Sequence, residues 1–221
     1  MADFVLLSSL PKESGLLNRA VMSIVENLPK RSAPSALIVG AAAGIDINNV
    51  NTKDIDIYAL NSAFFFLEKS GVIANALITG DKRFLKKQKV ENFKSLSHLV
   101  TFNYDDDASQ LPIPATTEIV SYRCLGRDGF SADGNKGFYH GCSSFFFAVQ
   151  FLVSQGYKNI ETLGVKFQPP ETYLRIDNTA GQPEFVYHIQ LMNIKRMKEF
   201  LKRNLVSFKI LDEDSNLAAF L

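Results

Sequence analysis

Short apolar runs that end in a glycine or a small polar residue recur along this chain, and helix-like stretches separate them. The runs predicted as strands are Ala36–Val39, Ile55–Leu60, Ala76–Thr79, Leu99–Phe102, Thr117–Arg123, Ile160–Leu163 and Ser207–Leu211. The stretches predicted as helices are Ser62–Lys69, Phe84–Ser95, Ser143–Gln155, His188–Leu205 and the short Asn216–Leu221. This alternation predicts an α/β fold built on a mainly parallel sheet.

The first 34 residues are predicted to form an N-terminal helical appendage. Within it, Leu16–Leu28 places apolar side chains at helical spacing, and Pro29 follows the end of the predicted helix. Residues 35–221 are predicted to form the main α/β domain. Inside that domain, Leu125–Gly137 and Phe167–Val186 are predicted to be irregular.

Composition excludes several classes of protein. Of the 221 residues, 46% are hydrophobic and 21% are charged, as in an ordinary globular domain. The formal net charge of +1 argues against a nucleic-acid-binding protein, which usually has a basic excess. Cys124 and Cys142 cannot form a disulfide framework, so a reducing, cytoplasmic location is expected. The longest apolar runs, Ser35–Gly44 and Ser144–Val153, are shorter than the ~20 residues of a membrane span.

Ligands of open parallel sheets bind beyond the carboxyl ends of the strands, so the residues that follow each predicted strand are candidates for a site. These residues are Gly40–Gly44, Asn61, Gly80, Asp81, Asp105–Asp107 and Lys166.

Three of these candidates also have an ordinary structural interpretation. The small-residue turn Gly40–Gly44 could bring backbone N–H groups close to a phosphate, but a tight strand–helix connection explains it equally well. Asn61 could bind a base or a ribose through its amide, although capping of the following helix is favoured. Asp105–Asp107 contains an Asp-x-Asp pattern that could hold a divalent metal, although a solvated turn is favoured.

The glycine-rich stretch Gly134–Gly141 leads into Ser143 and Ser144 at the start of an apolar helix. The free N–H groups of a helix N-terminus stabilise anions, so an anion-binding site is favoured here over a packed helix cap. The chain has three histidines, at His98, His140 and His188. His188 opens the predicted late helix, where a cap or surface residue is more common than a general base.

The order of these pieces resembles the bacterial CMP-sialic acid-dependent sialyltransferases that decorate lipooligosaccharides. It also resembles their wider superfamily, which includes transferases of the keto-sugar Kdo and pterin diphosphokinase-like proteins of archaea. The matching stretches are Leu37–Gly40, Ile55–Asn61, Gly137–Ser143, Gly156–Ile160, Leu163–Phe167, His188 with Ile194–Leu201, and Asn216–Phe220. The stretches are individually weak, and it is their order and spacing across residues 36–221 that carry the resemblance.

The resemblance implies a Rossmann-like sheet with helices on both faces, and a nucleotide-sugar-binding transferase domain over residues 35–221. It implies metal-independent transfer of a CMP-activated ulosonic acid, of the sialic acid or Kdo type, to a glycan or lipid-linked acceptor. The residues that it assigns to CMP and the donor sugar are Gly40, Ala41, Gly44, Asn61, Gly80, Asp81, His140, Gly141 and Ser143. The resemblance implies that His188 is the general base and that Tyr173 lies beside the departing phosphate. Lys166 is also expected to steady that phosphate, although the family usually has Asp at this position.

The chain departs from the family at three places. Ala41 and Gly44 replace the usual Asn and Ser of the first turn, and Lys166 replaces the usual Asp after a later strand. We also expect no counterpart of the membrane-associating segment of the sialyltransferases. Peripheral association with the inner membrane and formation of an oligomer are left open. Two alternatives therefore remain. One is a diphosphokinase-like enzyme with magnesium at Asp81 or Asp105–Asp107, and the other is a degenerate domain that binds a sugar nucleotide without catalysis.

Overall fold

A computed structural model describes residues 28–42, 44–103, 111–167, 184–212 and 215–221. The predicted helix Leu16–Leu28, except for its last residue, lies outside the described residues. So do Tyr173, Asp105–Asp107 and most of the predicted irregular stretch Phe167–Val186.

The described chain forms a seven-stranded sheet in which every pair of neighbouring strands is parallel. The strands are β1 Ser35–Val39, β2 Ile55–Leu60, β3 Ala76–Thr79, β4 His98–Phe102, β5 Glu118–Tyr122, β6 Asn159–Leu163 and β7 Ser207–Ile210. Their order across the sheet is β5-β4-β3-β2-β1-β6-β7. Each predicted strand is present, and the predicted α/β, Rossmann-like fold is confirmed.

Four α-helices pack around the sheet in the described residues. They are α1 Ala63–Lys69, α2 Lys82–Lys86, α3 Ser144–Ser154 and α4 Glu184–Arg203, accompanied by 3-10 turns at Ile47–Asn49, Val90–Phe93 and Asn216–Ala219. The core on one face includes residues of α3 and α4, and the core on the other face includes residues of α1 and α2. Helices on both faces of the sheet are therefore confirmed.

The two phenylalanine clusters lie on opposite faces. Phe64 of α1 contributes to one core, and Phe145–Phe147 of α3 contribute to the other. All eight residues from Phe145 to Leu152 are buried, so α3 is enclosed on every side. This burial explains why the helix is apolar all round rather than along one stripe.

Two predicted helices differ from the structure. The single helix predicted over Phe84–Ser95 is wrong, because α2 ends at Lys86 and a 3-10 turn follows at Val90–Phe93. Between the buried Leu85 and Phe93 the sequence offers only Val90 as an apolar residue, and Val90 is exposed. Helices in proteins depend on burial of an apolar face, and the polar residues of this stretch offer none.

The late helix α4 begins at Glu184, four residues before the predicted start at His188. The ring of Tyr187 stacks on Phe167 with 5.1 Å between centroids, which draws the first turns of the helix onto the main domain. No helix in the described residues has the length and apolar character needed to span a membrane.

The strand order places the topological switch point between β1 and β6. The chain runs outward from β1 through β5 and then returns to the other side of β1 as β6. Crevices at the carboxyl ends of such strands are the usual ligand sites of open α/β sheets. The candidate residues that follow β1, β2, β3 and β6 lie at this carboxyl edge of the sheet.

Candidate functional site

A hydrogen-bonded cluster joins the carboxyl ends of β2 and β3 to the first turn of α3. Asn61 Oδ1 accepts hydrogen bonds from Thr79 Oγ1 at 2.7 Å and from Ser144 Oγ at 3.3 Å. Ser144 Oγ in turn accepts the backbone N–H of Gly80 at 3.1 Å. Three segments that are distant in sequence are therefore fixed against one another at the edge where a ligand is expected.

Asn61 does not cap the following helix, so the capping interpretation is wrong. Its φ of 48° lies in the left-handed region, which asparagine tolerates better than most residues. The N-cap of α1 is Ser62, and Asn61 turns its side chain towards Thr79 and Ser144 instead. In the described part of the chain, no group accepts a hydrogen bond from Asn61 Nδ2. That N–H₂ group is available to a ligand.

His140 completes the cluster. It belongs to residues 125–142, which precede α3 and which we call the glycine-rich loop. Its Nε2 lies 3.1 Å from the carbonyl oxygen of Gly80, and its Nδ1 accepts the backbone N–H of Cys142 at 3.0 Å. The ring packs against Phe102, with 5.6 Å between ring centroids. Burial lowers the pKa of His140 below its usual value, and this outweighs the hydrogen bond to Gly80 and the charge of Asp81, which raise it.

Gly141 and Ser143 lie in the backbone segment that leads into α3. Gly141 has a φ of 58°, and a Cβ there would lie 2.2 Å from Phe146 Cδ1, so only glycine fits. Ser143 is the N-cap of α3 but makes no side-chain capping bond. The hydroxyl that enters the cluster belongs to Ser144, one residue further on.

Three buried amide side chains hold the glycine-rich loop in place. Gln150 of α3 accepts from Ser131 N and Tyr139 N and donates to Tyr139 O. Gln190 donates to Cys142 O at 2.7 Å, and Asn193 donates to Arg127 O at 2.9 Å. Sequence reasoning missed these residues. The signal was present for Gln150, a polar residue in the middle of an otherwise apolar helix.

The first turn does not present its early N–H groups to a ligand. Gly40 N donates to Leu163 O at 2.7 Å, and Ala42 N donates to Gly164 O at 3.0 Å. The half-buried Ala41 packs against the core of α1 and α2. Gly44, with a φ of 79°, is exposed and has open space around its Cα. The N–H groups of Gly40 and Ala42 are therefore occupied by the end of β6, as in a tight strand connection. The assignment of Gly40, Ala41 and Gly44 to the donor stays a prediction.

Asp81 begins the short helix α2. Its Oδ1 accepts the backbone N–H groups of Arg83 at 2.9 Å and Phe84 at 3.3 Å, and the Arg83 side chain lies 3.6 Å away. The Asp81 carboxylate therefore caps the start of α2, next to the cluster. Among the described residues, no group of three or more His, Cys, Asp or Glu side chains is arranged to hold a metal ion.

Of the predicted catalytic residues, His188 forms no hydrogen bond, ion pair or ring contact with the Asn61 cluster in the described part of the chain. His188 lies on α4 one turn after Glu184, so the prediction that it heads the helix is wrong. Its side chain is 63% exposed, and its Nε2 lies 3.5 Å from Glu184 Oε1. Lys166 is half-buried, two residues after the end-of-strand Gly164. Tyr173 lies outside the described residues.

Comparison with models of protein families and with curated proteins gives no match. Among solved structures, the fold is similar to that of the sialyltransferase CstII from Campylobacter jejuni, solved in complex with the substrate analogue CMP-3FNeuAc. The two chains are 14% identical, the alignment covers 85% of this chain and 84% of the other, and the TM-score is 0.48. A likeness of this extent assigns neither an activity nor a residue role to this chain.

Proposed function

We propose that this protein is a metal-independent glycosyltransferase that moves a CMP-activated ulosonic acid, of the sialic acid or Kdo type, onto a glycan or lipid-linked acceptor. One observation carries the proposal. Asn61, Gly80 and His140, three of the positions that the sequence resemblance assigns to the donor, meet in one hydrogen-bonded cluster at the carboxyl edge of the sheet.

The chemistry of the cluster suits a nucleotide donor. The free N–H₂ group of Asn61 would donate to an oxygen or ring nitrogen of the cytosine or the ribose. The donor is anionic through its phosphate and its ulosonic carboxylate. The amino end of the eleven-residue α3 lies beside the cluster, and its unpaired N–H groups and dipole favour negative charge. Ser143, whose hydroxyl makes no capping bond, would add a further donor there.

In the proposed reaction, an acceptor hydroxyl oxygen attacks the anomeric carbon of the donor. The bond from that carbon to the phosphate oxygen breaks, and CMP leaves with the electron pair. His188 would take the proton of the acceptor hydroxyl, and Glu184 at 3.5 Å would stabilise the imidazolium that forms. Lys166 and Tyr173 would steady the charge of the departing phosphate. Direct attack inverts the anomeric configuration.

The diphosphokinase alternative is less well supported. It needs carboxylates for magnesium, and Asp81 Oδ1 already accepts two backbone N–H groups at the start of α2.

A domain that binds a sugar nucleotide without catalysis is the second candidate function. It is favoured by His188, which is exposed and paired with Glu184. In the described residues, His188 forms no hydrogen bond, ion pair or ring contact with Asn61, Gly80 or His140. A chain with an intact donor cluster and a base held apart from it would retain binding and lose transfer.

Release of CMP from CMP-sialic acid and from CMP-Kdo, measured in EDTA with lipooligosaccharide acceptors, separates these candidates. The proposal expects acceptor-dependent release of CMP from one of the two donors. CMP binding without release would favour the binding domain. Activity that needs magnesium and ATP would favour the diphosphokinase.

A further inference from the structure

We infer that His140 is a positioning residue whose neutral ring clamps the glycine-rich loop onto the turn after β3 and so sets the geometry of the donor site. The part of this inference that concerns the donor rests on the proposed function. The part that concerns the clamp rests on hydrogen bonds within the chain.

The two contacts of the His140 ring dictate its protonation state. The Gly80 carbonyl can only accept, so Nε2 must carry the proton that it donates. The Cys142 backbone N–H can only donate, so Nδ1 must be unprotonated. Both contacts are satisfied only by the neutral ring with hydrogen on Nε2. We call this pair of hydrogen bonds the His140 clamp.

The clamp joins two parts of the site whose relative position would determine whether a ligand can contact both. On one side is Gly80, whose backbone N–H donates a hydrogen bond to Ser144 Oγ. The residue before it, Thr79, donates a hydrogen bond to Asn61 Oδ1. On the other side is Cys142, a non-glycine residue held at a φ of 55° at the entry to α3. The backbone N–H of His140 also donates to Gly126 O at 2.8 Å, which fixes the loop behind the ring.

The packing around the ring leaves little freedom. Phe102 of β4 lies on one side of the ring and itself stacks on Phe147 of α3, with 4.2 Å between ring centroids. A Cβ on Gly80 would lie 3.1 Å from Phe102 Cε2 and 3.3 Å from His140 Cδ2, so a larger residue there would press on both rings. With both nitrogens occupied, His140 has none left for proton transfer, which separates its role from that of a general base.

Protonation would break the clamp, because a proton on Nδ1 would face the Cys142 N–H. The charged groups that act on the ring are Asp81 beyond Gly80, which raises its pKa, and Arg127 of the loop, which lowers it. Burial lowers the pKa of the folded-state ring below the ordinary ~6.5 of the unfolded chain. Folding therefore favours the neutral ring that the clamp requires. The contribution of this neutral ring to stability is complete above about pH 6.5 and is lost as the pH falls from there through the folded-state pKa.

Two substitutions dissect the clamp. His140→Gln places an amide N–H₂ near the position of Nε2 and retains the bond to Gly80 without a titrating group. His140→Phe retains the packing on Phe102 and removes both hydrogen bonds. At pH 7.5 we expect His140→Phe to weaken CMP binding about tenfold, which is about 1.4 kcal/mol, and His140→Gln to stay within about threefold of the wild type.

The experiment combines three measurements on the wild type and both variants. Nitrogen-15 NMR of the wild-type histidines at pH 7.5 should show His140 neutral with hydrogen on Nε2. Urea unfolding between pH 7.5 and pH 5 should show the wild type losing stability relative to His140→Gln below about pH 6.5. Calorimetric CMP titration should give the order wild type, His140→Gln, His140→Phe.

The outcomes separate the clamp from the proposed function. Hydrogen on Nδ1, or parallel pH profiles for the wild type and His140→Gln, would overturn the clamp whether or not CMP binds. Equal CMP affinity in the wild type and His140→Phe would overturn the positioning role. Absence of CMP binding to the wild type would overturn the proposed function and the donor part of the inference, while NMR and the pH profile would still decide the clamp. If His140→Phe fails to fold, the comparison of His140→Gln with the wild type retains the pH test.

Discussion

A Cβ atom on Gly40 would lie 2.2 Å from the carbonyl oxygen of Gly164. The two glycines follow β1 and β6, the strands on either side of the switch point. Gly40 N donates to Leu163 O, and Ala42 N donates to Gly164 O, so the chain leaves β1 paired with the end of β6. Gly40 has no Cβ, and this allows its backbone to lie so close to that of Gly164.

Gly40→Ala should therefore reduce the free energy of unfolding by about 2 kcal/mol, because the backbone of Gly164 must move to admit the methyl group. Gly44→Ala is the matched control in the same turn. It has open space and should cost only about 1 kcal/mol for its positive φ. Urea unfolding checks both values, and an equal or smaller loss for Gly40→Ala would contradict this account of the junction.

The amino edge of the sheet has its own buried anchor in Asp56, which is 1% exposed. Its carboxylate accepts hydrogen bonds from Ser32 N, Ser32 Oγ, Ala33 N, Asn75 Nδ2 and Tyr157 OH. Burial alone would raise the pKa of Asp56. The hydrogen bonds from Ser32, Tyr157 and Ala33 outweigh it and hold the pKa below the ordinary value.

Asp56→Asn should lower the free energy of unfolding by about 3 kcal/mol at pH 7, because an amide N–H₂ would face backbone N–H groups. The contribution of the charged Asp56 is present above its unfolded pKa of about 3.9 and is lost as the pH falls through the lower folded-state pKa. The two proteins should therefore converge in stability as the pH falls below about 4. Glu91→Gln, at an exposed acid, is the control, and a constant difference between the wild type and Asp56→Asn would contradict the prediction.

His188→Ala should lower the rate of transfer by roughly 10²–10⁴, the usual contribution of a general base. CMP affinity should be unchanged, because among the described residues His188 forms no hydrogen bond, ion pair or ring contact with the Asn61 cluster. The assay follows CMP release and CMP binding on the same preparations. His98→Ala is the matched control, since His98 begins β4 at the opposite edge of the sheet.

Transfer that survives in His188→Ala would remove His188 as the base. A parallel loss in His98→Ala would show that the effect is not specific to the proposed site. Glu184→Gln should lower the rate less than His188→Ala, because it removes only the partner that stabilises the imidazolium.

The sheet could be predicted from sequence because each strand is a short apolar run that ends in a turn residue. β3 occupies the predicted residues Ala76–Thr79, and β2 occupies Ile55–Leu60. The helix predicted over Phe84–Ser95 was wrong because helical composition is a weak guide where no apolar face is buried.

The site could be predicted only in part, because its contacts depend on the register of distant segments. Asn61 and Gly80 were candidates from their positions after strands, and the assignment of Asn61, Gly80 and His140 to the donor came from the resemblance to the sialyltransferases. The left-handed backbone of Asn61 and the occupied nitrogens of His140 could not be predicted, since they depend on how β2, β3 and the loop meet. The sequence also could not show which of the two neighbouring serines enters the cluster. In the structure it is Ser144, rather than Ser143, that donates a hydrogen bond to Asn61.

The central claim is that a CMP donor binds without metal at the Asn61 cluster. Calorimetric titration of CMP in EDTA, on the wild type and on Asn61→Gly, tests it most directly, because glycine keeps the left-handed backbone and removes the amide. The account predicts one CMP per chain for the wild type and affinity at least about tenfold weaker for Asn61→Gly. No binding of CMP in EDTA, or equal binding by the two proteins, would contradict it.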